Sequence, residues 1–139
     1  MKNVMKTIAV AMSVAWMLSA LPGWTHHSFT AEFDEKKPVK MKGKVTSMKW
    51  ANPHAWIYID VTGADGKVVN WALETGNGNS LIRNGWKKED LVAGTVLVVE
   101  GWQARNGTPT ANISSVTFEN GTRLWAQTSN TNAKQGQQK

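Results

Sequence analysis

From residue 39 the chain alternates. Val39, Met41, Gly43 and Val45 fall on one side of an extended segment and Lys40, Lys42 and Lys44 on the other, the two-residue period of a half-buried strand. The apolar parity then passes to Met48 and Trp50. One extra residue near Thr46-Ser47, forming a β-bulge, produces that switch and bends a long first strand. A second strand is predicted from His54 to Val61 and a third from Lys67 to Glu74, with Asp65-Gly66 as the hairpin turn between them. Thr75-Gly76-Asn77-Gly78 then leads into a short helix through Leu81, Ile82 and Arg83, with Asn79 or Ser80 as its N-cap and Gly85 as its stop. A further turn is expected over Lys88 to Val92. Thr95 to Ala104 and Thr110 to Phe118, joined at Asn106-Gly107, read as strands four and five, and Asn120-Gly121 turns into a short extra strand ending at Trp125.

Three strands, a short helix and two more strands predict an all-β fold of the OB-like kind, a small five-stranded β-barrel with its helix between strands three and four. A chain of 139 residues holds one such domain. It is expected to occupy residues 26 to 125. The polar stretch from 126 to 139 has no apolar residue except alanine and is expected to be a disordered tail.

The start of the chain has a different character. Lys2 and Lys6 precede an uncharged run from Thr7 to Leu21, the layout of a secretory signal. The run is shorter than the roughly 20 residues a spanning helix needs, and Pro22-Gly23 breaks it. Residues 1 to 25 are therefore expected to be a cleaved signal peptide, leaving a periplasmic or secreted protein without a membrane span. A cut after Ala20 satisfies the small-residue rule at its last place, and a cut after Thr25 satisfies it with Gly23 and Thr25. Loss of Lys2 and Lys6 takes the net charge from +6 to +4, which is mild for a nucleic-acid binder.

The chain contains no cysteine, which removes disulfides, thiolate metal sites and acylation after export. A metal site must then use nitrogen and oxygen. The candidates are His26, His27 and His54. If the mature chain starts at His26, its amine and imidazole form a chelate that His27 or His54 completes around copper. If it starts at Thr25, the amine, two backbone amides and the His27 imidazole offer a square-planar nitrogen site for copper(II) or nickel(II). If it starts at Leu21, neither terminal site exists. Against both metal sites stands the plainer reading of a polar start and a hydrogen-bonded loop histidine.

Trp50, Asn52, His54 and Trp56 form a second set, the candidate ligand-binding residues, gathered in the loop between strands one and two that OB-folds use for ligands. A turn built on Pro53 and an Asn52 Asx-turn accounts for the same residues without a ligand. Trp71, Trp86 and Trp102 read as packing. Glu32, Asp34, Glu35 and Glu74 show no acid–base spacing and read as solvated charges. Gly76-Asn77-Gly78-Asn79-Ser80 lacks the Gly-Lys-Ser/Thr ending of a phosphate loop, and no hydrolase elbow, zinc-protease helix or dinucleotide fingerprint is present. No catalytic residue is assigned; an enzyme here would have to be metal-based, such as a copper oxidase built on an N-terminal histidine.

At His26-His27-Ser28-Phe29, Glu32-Phe33-Asp34, Lys37-Pro38-Val39, Gly43-Lys44-Val45, Trp50, Asn52-Pro53-His54, Asn70-Trp71, Arg83-Asn84-Gly85-Trp86 and Gly101, the chain resembles an uncharacterised family of small exported bacterial proteins. The resemblance implies export and a small β-domain and carries no activity with it. Members of this kind show alanine directly before His-His, where this chain has Thr25.

The leading expectation is an exported binding protein for a metal ion such as copper. The alternative is an interaction module whose groove, near Trp50, Trp56 and Trp102, takes a peptide, glycan or small molecule. Lys40, Lys42, Lys44 and Lys49 are candidates for a nucleic-acid face, but export and the modest charge argue against it.

Overall fold

The computed structural model describes residues 29–127. The expected signal peptide, His26, His27 and the expected tail beyond Gln127 lie outside the described residues. Within them the chain forms six strands: β1 (Phe33–Lys49), β2 (Trp56–Thr62), β3 (Val68–Glu74), β4 (Val96–Ala104), β5 (Thr110–Phe118) and β6 (Arg123–Trp125). A four-residue helix, α1 (Phe29–Glu32), precedes β1; α2 (Gly78–Arg83) and a 3-10 turn (Lys88–Leu91) fill the connection between β3 and β4. The fold is all-β.

The strands are ordered β3-β2-β1-β4-β5-β6, and β3 pairs in addition with β5. Every pairing is antiparallel except β3 with β5. β1 serves two partners in succession, β4 along Phe33 to Lys44 and β2 from Lys44 to Lys49. It can do so because its register shifts between Val45 and Ser47, where the parity switch predicts a bulge.

Alternation sorts the side chains. Val45, Ile57, Ile59, Leu73, Leu97, Val99, Ile113 and Val116 are at most 1% exposed and form one core with Leu81 of α2. Each such side chain contributes about 1.5–3 kcal/mol relative to leaving it in water. The helix cap differs from expectation. Asn77, rather than Asn79 or Ser80, is the N-cap, its Oδ1 accepting from the Ser80 amide at 2.9 Å. That bond needs an acceptor three residues before the amide, a spacing that Asn77 meets.

Packing runs two residues past the expected end of the domain. Ala126 donates to the Ser114 carbonyl at 2.8 Å and accepts from Gly76 at 2.7 Å, and Ala126 and Gln127 are buried. Trp86, 2% exposed, donates its indole N–H to the Trp125 carbonyl at 2.8 Å, which ties β6 to the turn that follows α2. Among the described residues no helix is long and apolar enough to cross a membrane.

Candidate functional site

The register carries a row of side chains across the face turned away from the core. Ile57 pairs with Leu73 and both are buried, so their neighbours Trp56 and Glu74, also paired, point the other way. Glu74 is beside Asn112 in the parallel pairing, Asn112 faces Trp102 on β4, and Trp102 faces Pro38 on β1. An outward row is ordinarily wet. Here Glu74 is 7% exposed and Asn112 9%.

His54 is set against this row by the loops that prolong β2 and β3. The Ala55 amide donates to the Gly76 carbonyl at 3.0 Å, and the Thr75 amide donates to the Ala55 carbonyl at 2.9 Å, so the ladder continues past the strand ends. The His54 Nδ1 then lies 3.1 Å from the Thr75 carbonyl and 3.1 Å from Glu74 Oε1. A carbonyl can only accept, so Nδ1 carries the proton and donates; the lone pair of the neutral ring is therefore on Nε2. The His54 side chain is 46% exposed.

Glu74 is not the solvated charge that the sequence reading expects. Burial raises its carboxyl above the ordinary glutamate range, against the favourable charge of His54 and a hydrogen bond from Asn112, with the Glu32 carboxylate adding to the rise. Gln127 completes the arrangement by donating from Nε2 to Asn112 Oδ1 at 2.9 Å. The sequence reading singles out neither Asn112 nor Gln127. They are polar residues distant in the chain from His54, and only the β3–β5 pairing and the path after β6 bring them near it.

The four candidate ligand residues do not share one groove. Trp50 packs on the core side and against Gly78, with Lys88 Nζ 5.8 Å from its ring centroid. Trp56 is on the opposite face, and Asn52 is exposed beside a cis peptide bond to Pro53. Trp71 and Trp86 pack as expected. Trp102 belongs to the outward row and not to the core. It takes the ring of Phe29 edge-on at 5.5 Å, and Phe29 also stacks on Phe33 at 5.6 Å. Arg105 holds the same short helix, donating from Nε to the Thr30 carbonyl at 2.7 Å and from its amide to the Glu32 carbonyl at 2.9 Å.

The lysine stripe of β1 is partly neutralised. Lys40 Nζ is 2.9 Å from Glu100 and Lys42 Nζ is 3.6 Å from Glu119. The Glu100 carboxyl is held below its ordinary range by the Lys40 hydrogen bond first; burial opposes this, and the charges of Arg123 and Lys40 with the Ser115 hydroxyl add to the lowering. Among the described residues no three histidine or carboxylate side chains stand ready around one metal position.

No curated protein matches the chain, and no solved structure does. A family model does match, over residues 14–113, a span that takes in His26, His27, His54, Glu74 and Asn112. The chain belongs to that family, a family of unknown function designated DUF6152.

Proposed function

We propose that this is an exported protein, periplasmic or secreted, that binds a transition-metal ion such as copper, with His54 Nε2 as one ligand and His26 or His27 supplying further nitrogen. One observation carries the reading: an exposed imidazole has its Nδ1 held by a buried carboxylate and a backbone carbonyl, the arrangement that prepares a histidine to ligate through its other nitrogen. The absence of cysteine excludes thiolate ligands, and the imidazole nitrogens at hand suit copper(II) or nickel(II).

The position of Phe29 supports a shared site. Phe29 rests on Trp102, and Trp102 is two strand positions from Glu74, about 10 Å at the usual strand spacing. His27 is two residues before Phe29, a reach of up to about 7 Å of extended chain before its side chain is added. As to the scaffold, the pairings β1-β2-β3-β5-β4-β1 return on themselves, which supports reading it as a five-stranded barrel of the OB-like kind with β6 appended.

Copper(II), one equivalent, added to the exported protein and followed by intact mass after desalting tests the reading. One copper retained on a chain starting at Thr25 or His26, and retention about tenfold weaker or lost in His54→Ala, is the expected result. No retention by the wild type, or equal retention by His54→Ala, overturns the role of His54.

A second reading has its own observation. Pro38, Val39, Lys40, Glu100, Gly101, Trp102 and Ser114 line an open hollow of about 370 Å³, with an aromatic wall beside charged groups. That is the size and character of a place for a small molecule, glycan or peptide side chain. Quenching of tryptophan fluorescence by a ligand that survives both chelator and His54→Ala, and fails in Trp102→Ala, would favour it.

A further inference from the structure

Amide side chains have a direction: the oxygen accepts and the nitrogen donates. Gln127 Nε2 donates to Asn112 Oδ1 at 2.9 Å, so the Asn112 nitrogen is the end left for Glu74, its register partner between β3 and β5. The Glu74 carboxylate has no proton to give when ionised and accepts from His54 Nδ1. The bonds converge on the carboxylate, from Gln127 through Asn112 on one side and from His54 on the other. Glu74, Asn112 and Gln127 are each at most 9% exposed, so water competes little for these bonds.

We infer that Asn112 and Gln127 are positioning residues, which through Glu74 hold the His54 ring in the single tautomer that leaves Nε2 bare. They orient Glu74, and Glu74 orients the ring. The Thr75 carbonyl makes the same demand on Nδ1 but is a weaker acceptor than a carboxylate, and it does not restrain the ring from the Glu74 side. Gln127 lies beyond the residues that the family model matches.

The consequence for metal binding rests on the proposed function, but the inference itself does not, and its test uses metal-free protein. In full-length exported protein labelled with ¹⁵N-histidine, the two ring nitrogens of His54 report the tautomer by NMR. The wild type is expected to show Nδ1 protonated and Nε2 bare. Gln127→Glu keeps the shape and removes the donor; Asn112→Leu removes both polar ends at similar size. Each is expected to move His54 towards a mixture of tautomers, with amide dispersion showing that the fold persists, and Gln127→Glu serves alone if Asn112→Leu fails to fold. A wild-type ring protonated at Nε2, or an unchanged tautomer in folded Gln127→Glu, overturns the inference. Copper retention measured on the same variants is expected to fall about tenfold. A tautomer shift without any copper retention by the wild type would sink the metal reading and leave the relay standing.

Discussion

His54 Nδ1 and Glu74 Oε1 are 3.1 Å apart, yet the imidazole is 46% exposed and the carboxylate side chain 9%. One member of the pair meets solvent and the other is enclosed with the amides of Asn112 and Gln127. That asymmetry separates the half-exposed ring from the buried groups that lie against its Nδ1.

Removing the enclosed member strands its partners. Glu74→Ala leaves the Asn112 amide and one side of the His54 Nδ1 without an acceptor and is expected to destabilise the fold by about 1–3 kcal/mol. Urea unfolding monitored by circular dichroism measures it, and a midpoint equal to wild type would mean water replaces the carboxylate at no cost.

Gly101 of β4 lies hard against the backbone of β5. A Cβ there would stand 2.2 Å from the Asn112 carbonyl oxygen and 2.7 Å from the Ile113 Cα, both backbone atoms held by the sheet. Gly101→Ala is expected to cost at least ~2 kcal/mol. Because Asn112 is displaced directly, the same variant should disturb the His54 tautomer as well; thermal unfolding and the ring NMR signals check the two effects separately.

Trp86→Phe keeps most of the buried ring and deletes the N–H that reaches the Trp125 carbonyl at 2.8 Å. The expected loss is about 1 kcal/mol, against about 3–5 kcal/mol for Trp86→Ala, which also empties the space beside α2. Equal losses in denaturant melts of the two variants would show that the indole hydrogen bond, and not the ring volume, carries the contribution.

Glu100 makes stability depend on acid. Lys40, Arg123 and Ser115 hold its folded carboxyl below the ordinary value of 4.5, so its contribution is complete above that value and is lost as the pH falls through the lowered one. Over the window below pH 4.5 the wild type is expected to lose stability more steeply than Glu100→Gln, in which the group does not titrate. Unfolding free energies measured at a series of pH values from 6 down to about 2.5 test this; parallel curves would show that the ion pairs contribute nothing.

The amino-acid sequence by itself determined the strands from Val39 on, because alternation and turn residues are local properties; the stretch from Phe33 to Pro38, which extends β1 along β4 with a register shift, carries no such alternation. The parity switch at Thr46-Ser47 marked the bulge, Asp65-Gly66 and Asn106-Gly107 marked their turns, and the fifth strand runs from Thr110 to Phe118 as expected. It also singled out His54, the one histidine away from the chain start. The environment of that histidine was decided by tertiary structure. Strand parity says only that Glu74 and Trp102 face away from the core; it does not say that Asn112 and Gln127 enclose Glu74 or that Phe29 sits on Trp102. Trp50 and Trp56, close in sequence, were sent to opposite faces by the same parity once the strands were placed. The parallel pairing of β3 with β5 joins residues far apart in the chain, and no local period encodes it. Such a pairing forms only when the whole sheet assembles, because its hydrogen bonds repay the loop entropy only together with the buried core.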